Sequence, residues 1–318
     1  KLITTGEDNV GIGQQSLEAT TTGDRNIAVG TRALDNNTTA NDNVGIGHEA
    51  LRLTTTGAGN TAVGSKALDA NTTGSNNTAT GFNSLGANTT GVVNAAFGRL
   101  ALSANTTGSS NTACGQGALE ANTTADNNTA VGTSSLQANT TGVNNVGIGV
   151  TAADANTTGS NNTAVGTSAF TTNTTGSNNV AIGLQSLFGN TTASNNTAVG
   201  VNAMVANTIG SQHVAIGSHA LQKTTTASNN VAIGYLSAEE TTTGFSNIAI
   251  GSQALQENTA AYGNVAIGFQ SMMDGNTENF NTAVGYHSLK ANTSGANNVA
   301  LGSEALDANT TGGSNVAL

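Results

Sequence analysis

The glycines Gly13, Gly30, Gly47, Gly64 and Gly81 stand seventeen residues apart, and the series runs on in the same register to Gly302. No insertion or deletion interrupts it. A fixed short period requires copies of one small unit stacked on their neighbours, rather than elements gathered round a central core. The 318 residues would otherwise suggest about two globular domains. The period takes precedence, and the chain reads as one continuous repeat domain over 1–318. It enters at repeat position 10 with Lys1 and leaves at position 4 with Leu318, which predicts a segment cut mid-repeat at both ends.

Counted from its asparagine, the unit reads N-[TV]-A-[VI]-G-x-x-[AS]-L-x-x-N-T-T-G-x-x, as in the copy that starts Asn60-Thr61-Ala62-Val63-Gly64. Seventeen residues are too few for a helical pair and suit one coil of an all-β, parallel β-solenoid, with about 18–19 coils in the chain. Positions 1–5 read as a strand, with the β-branched residues at 2 and 4 on one face and the Ala or Gly at 3 on the other. A second short strand is expected over positions 7–10. Gly at position 5 supplies a bend, and Asn-Thr-Thr-Gly at 12–15 is turn chemistry. The apolar positions 4 and 9 never lose their register, which argues against disorder and marks them as the buried ones. Cys114, the only cysteine, falls at position 4 and is read as a small buried hydrophobe.

Like residues stacked about 4.8 Å apart form columns, and some nineteen coils give a rod on the order of 90 Å long. Asn at positions 1 and 12 then bonds up and down its own column. The ladder is represented by Asn60, Asn77, Asn111, Asn128, Asn162 and Asn179, by the bend glycines Gly64, Gly81, Gly166 and Gly183, and by Leu68, Leu102, Leu136 and Leu187 at position 9. No charge occurs at positions 2, 3, 4, 8 or 9, so the rim is formed by 6, 7, 10, 11, 16 and 17. Two large apolar side chains per coil are thin stabilisation for a lone rod. Association of identical chains would supply cover, with a trimer as one solution beside a monomer or another assembly.

Charged residues are 8% of the chain and aromatics 3%, with a net charge of −10 and no proline. The absence of a Lys/Arg cluster excludes a phosphate-backbone partner such as nucleic acid. No apolar run approaches the roughly 18 residues of a membrane span, and no signal peptide is visible.

Asn179-Val180-Ala181-Ile182-Gly183-Leu184-Gln185-Ser186 and Asn264-Val265-Ala266-Ile267-Gly268-Phe269-Gln270-Ser271 resemble the head repeat of YadA-like trimeric autotransporter adhesins, of the form N-S-V-A-I-G-x-x-S. Asn156-Thr157-Thr158-Gly159 followed by Asn161-Asn162-Thr163-Ala164-Val165-Gly166 is similar to repeat tracts of phage tail-fibre and bacterial surface-fibre proteins. The resemblance extends over the whole chain. It implies a left-handed roll, trimerisation and an extracellular or virion-tail location, with a cell-surface or glycan receptor as partner. The coil here is a few residues longer than the usual head repeat.

Chemistry is sparse. His48, His213, His219 and His287 lie on different coils, at positions 6, 1, 7 and 7, so no metal site is expected. No histidine–carboxylate pair recurs beside a serine or threonine to activate it, and Gly45-Ile46-Gly47 is a repeat echo without the lysine of a phosphate loop. No catalytic residue and no cofactor are assigned. Asn37, Asn71, Asn88 and Asn105 read as N-T-T sequons, for which the turn-and-ladder role is sufficient. Six of the ten aromatics, Tyr235, Phe245, Tyr262, Phe269, Phe280 and Tyr286, fall on rim positions 6, 16 and 17 and form a candidate contact patch. The expected function is a non-enzymatic spacer or adhesin segment. The alternative is an ice-binding solenoid that uses the Thr columns at 13 and 14.

Overall fold

The computed structural model describes residues 4–318. The chain divides into two compact units, one running to Asn161 and the other Asn162–Leu318. Each is a parallel β-solenoid without helices. Among the described residues the first unit holds nine strands of three residues, from Val10–Ile12 to Val146–Ile148. The second holds ten, from Thr163–Val165 to Val316–Ala317. In both units every residue pairs with its equivalent one repeat on, as Val44 with Thr61, Gly45 with Ala62 and Ile46 with Val63. The period of the sequence is therefore the register of the sheet.

One strand per coil is all there is. Positions 7–10, expected to hold a second strand, lie instead within a run of turns over positions 6–11. The cause is a pair of left-handed residues at 7 and 9, such as Lys66 at φ 59° and Leu68 at φ 51°. Their alternation sends backbone hydrogen bonds both ways: Lys66 N–H donates to His48 O in the coil before, Leu68 N–H to Ser84 O in the coil after. It also turns two consecutive side chains inward, so that Ala67 and Leu68 are both fully buried. A left-handed conformation costs a non-glycine residue about 1–2 kcal/mol, while burying a leucine returns about 1.5–3 kcal/mol. Burial wins, and at this buried site an unbranched Cβ is favoured, although Thr151 and Val93 adopt the same conformation at the rim positions 7 and 17. Position 9 is accordingly Leu, Met, Phe or Ala and never Val, Ile or Thr. A third left-handed site, position 17, explains the recurring Asn-Asn doublets, since Asn76, Asn127, Asn144 and Asn178 all adopt it.

The interior consists of positions 1, 3, 8, 9, 12 and 15. It is the Ala of the strand that points inward, and the β-branched residues that point out. In Thr61–Val63 the central Ala62 is buried and Val63 is exposed. The expectation that position 4 is buried is thus corrected, and with it the reading of Cys114, which is exposed. The interior has no room for more. A Cβ at Gly147 would lie 3.0 Å from Leu136 Cγ and 2.6 Å from Ser135 Oγ. Alternation fixes which residues share a face, and this closeness fixes which face is inside.

Gly64 is held at φ +136°, and a Cβ there would lie 2.6 Å from the carbonyl oxygen of Gly81 in the next coil. Both conditions recur along the column, which accounts for its invariance. One coil departs from the pattern internally. Asn276, not residue 275, takes the position-12 place, and Asn292 Nδ2 donates to its Oδ1 at 3.2 Å across sixteen residues instead of seventeen. Gly275, at φ 54°, is the extra residue. The arm to Asn281 is one residue shorter, so the slip cancels within the coil.

Candidate functional surface

Two internal columns of amides hold the coils together. Asn60 N–H donates to Asn43 Oδ1 at 2.9 Å, and Asn60 Nδ2 donates to Gly74 O at 2.9 Å and to Asn43 Oδ1 at 3.1 Å. Asn77 repeats this on Asn60, Asn111 on Asn94, and Asn179 on Asn162. Asn128 N–H in turn donates to Asn111 Oδ1. In the second column Asn88 Nδ2 donates to Asn71 Oδ1 at 2.9 Å and to Gly91 O at 3.1 Å. Buried amides of this kind are stable because each coil completes the one before it. Leu68, Leu102, Leu136 and Leu187 are fully buried between the columns. The sequons at Asn37, Asn71, Asn88 and Asn105 have their amides inside, closed to modification on the folded chain.

Threonine interrupts the second column. Below Thr54, Asn37 Oδ1 has no partner, and below Thr224 the same holds for Asn207 Oδ1. A hydroxyl is too short to replace the amide, as the 3.4 Å from Asn71 Nδ2 to Thr54 Oγ1 shows.

His213 replaces asparagine in the first column without breaking it. Its N–H donates to Asn196 Oδ1 at 3.0 Å, its Nε2 lies 2.8 Å from Ala227 O, and its Nδ1 accepts the N–H of Asn230 at 3.2 Å. This pattern needs the neutral ring with its proton on Nε2. Burial lowers its pKa, against a smaller opposing effect of its backbone hydrogen bonds. The other histidines stay apart from it. His219 Nδ1 lies 2.8 Å from Ser218 Oγ and its Nε2 3.3 Å from Asn202 Nδ2. Among the described residues no three of His, Cys, Asp and Glu converge as metal ligands, and no helix is long and apolar enough to cross a membrane.

The rim carries the charges, paired between coils. Arg25 meets Asp42 at 2.7 Å, Arg32 meets Glu49 at 2.9 Å, and Arg52 meets Asp69 at 2.7 Å. The hydrogen bond from Arg25 lowers the Asp42 pKa. Such exposed pairs contribute little each, about 0–1 kcal/mol. An open cavity of about 330 Å³ lies beside Glu240, Gln256, Glu257 and Thr259; Glu240 there is already held by Lys223.

The six aromatics do not form one patch. Phe245 and Tyr262 stack at 4.6 Å and 4°, with Phe280 edge-on to Tyr262 at 5.2 Å. Phe269 and Tyr286 stack at 5.7 Å on a different column, where His287 joins them. Tyr235 stands apart, edge-on to His219 at 6.3 Å. In the stacked pairs one face of each ring lies against its column neighbour. The threonine columns separate in a similar way. Thr72 and Thr89 donate their hydroxyls to the carbonyls of Thr89 and Thr106 at 3.0 Å, and along most of the chain the position-14 residues such as Thr73 and Thr90 are the more exposed, with Thr259, Thr293 and Thr310 of position 13 exposed as well. The position-13 hydroxyls of most coils are thus engaged within the coil stack.

The outer face of the strands is made of positions 2 and 4. Ile46, Val63, Phe97, Val131 and Ile148 are exposed there by 36–43%. No protein-family model matches the chain, and no curated protein is similar to it in sequence.

Proposed function

We propose that this chain is a structural segment of an extracellular surface appendage or phage tail fibre, a rigid spacer that sets distance and presents outward columns for attachment to a surface receptor. One observation carries the reading: in the first column buried asparagines bond to their own copies in the adjacent coils, as Asn60 does to Asn43 and Asn77. Material organised in this way specifies length and stiffness, and it leaves the interior filled by its own ladders. The resemblance of Asn179–Ser186 and Asn264–Ser271 to adhesin head repeats supports the same reading, and association of copies, a trimer on the sequence reading, belongs to it.

The test is length. Electron micrographs of the purified full chain are expected to show straight particles, and removal of the four whole repeats 94–161 should shorten them by about 19 Å at ~4.8 Å per coil. Particles that are globular, or whose length ignores the deletion, overturn the proposal.

A further inference from the structure

We infer that the strand face formed by positions 2 and 4 is the seat of a second copy of this chain; the inference builds on the fibre reading and names the partner surface. From Val10 to Leu318 those two columns contain only Val, Ile, Thr, Ala, Leu, Phe and Cys, without a single charge or amide. The rim columns 6, 7, 10, 11, 16 and 17 take charges or amides, and the exposed position-14 column, which does not, stays polar with Thr in most coils, so the strand face is the exposed surface given mainly to Val and Ile. A sheet face turned to water ordinarily carries polar residues. Here it keeps Ile12 exposed at 59%, Val10 at 45% and Ile46 at 39%.

The size of the strip demands a cover. In the first unit alone, nine strands at ~4.8 Å make it about 43 Å long, and at ~10 Å width it covers roughly 430 Å². Contiguous apolar patches beyond a few hundred Å² mark interaction sites. A standard interface of ~800 Å² per partner over that length needs a band about 19 Å wide, which is the strip with its two margins. The margins fit that role. Phe82 and Val150 at position 6 and Val93 at position 17 are exposed beside the strip, and Arg25, Asp42, His48 and Arg99 supply a polar rim there.

The pitch selects the occupant. The outward side chains repeat once per coil in exact register, with grooves between them at the strand spacing. A surface that fills those grooves over nine coils must carry the same pitch, and the same face of a second chain does. Val and Ile of one copy then seat between the coils of the other, with the two sheets about 10 Å apart.

The experiment is sedimentation velocity on the full chain at several concentrations. The wild type is expected to sediment as an assembly of 31.2 kDa chains. The double variant Val63→Lys, Val131→Lys places two charges on the face of the first unit. It should weaken association at least a hundredfold and leave the circular dichroism spectrum and thermal midpoint unchanged. The control Thr73→Lys, Thr141→Lys charges the exposed position-14 column and should assemble as the wild type does. If the lysine pair alters the spectrum, Val63→Gln, Val131→Gln is read in its place with the same expectation. A wild type that stays a single chain overturns the second copy as occupant. An assembly that survives both face variants overturns the face. Neither result touches the length scaling on which the spacer reading is tested.

Discussion

Asn43 Oδ1 accepts the backbone N–H of Asn60 at 2.9 Å, and both residues are fully buried. A side chain of one coil thus terminates the main chain of the next, and the same bond recurs along each unit. The polar interior is stable only as a series.

Truncating one member should open its neighbours. Asn60→Ala removes the acceptor for Asn77 N–H, while Gly74 O keeps the hydrogen bond from Asn71 Nδ2, and the one stranded buried group costs about 1–3 kcal/mol. Stacked repeats lose structure locally, so amide hydrogen exchange is the measurement. Protection is expected to fall around Asn43, Asn60 and Asn77 and to persist several coils away.

Completing the second column should strengthen it. Thr54→Asn gives Asn37 Oδ1 the donor it lacks and restores the spacing to Asn71. A stabilisation of about 1 kcal/mol is expected, read as a higher denaturant midpoint. The converse change Asn88→Thr should lower it by a similar amount.

At position 9 shape counts more than volume. Leu68→Met has natural counterparts in Met204 and Met272, both fully buried, and should cost less than about 1.5 kcal/mol. Leu68→Ile has the same number of carbons but branches at Cβ in a left-handed conformation. It is expected to cost about 1–2 kcal/mol more than the methionine variant, measured by thermal unfolding of the two side by side.

His213 predicts a pH dependence. Its folded pKa lies below the ordinary histidine value of 6.5 because burial disfavours the cation. The unfolded chain therefore takes up the proton first, and stability present above pH 6.5 is lost as pH falls toward the lowered folded value. Protonation also puts a hydrogen on Nδ1 where Asn230 N–H donates. The groups bonded to the ring, Ala227 O and Asn230 N–H, are uncharged. Hydrogen exchange at Asn230 should quicken between pH 7 and 5, and His213→Asn should abolish the change.

Stacking and register were legible because they follow from the period alone: Gly64 above Gly47 in sequence is Gly64 above Gly47 in space. The asparagine columns were legible for the same reason, since a residue that recurs in every coil can be satisfied by its own copy. The side on which Val63 lies was not. Alternation states that Thr61 and Val63 share a face and Ala62 takes the other, but the inward choice depends on how near Leu68 approaches, which the pattern does not contain. The turn at 6–11 left a signal that was there to read: Val and Ile fill position 4 yet never occur at position 9, and at a buried position that exclusion fits a left-handed backbone. The Asn-Asn doublets carried the same message for position 17. The split of the aromatics was also present in the repeat positions, since Phe245 at 16 and Phe269 at 6 belong to different columns.

The glycine column has a consequence at the level of the gene. Since the close neighbour of Gly64 is another Gly64, one period on, unequal recombination that duplicates or deletes whole periods creates no new kind of junction. Chains of many lengths can arise by copying errors alone, each foldable at birth, and selection is left to choose among reaches instead of among folds.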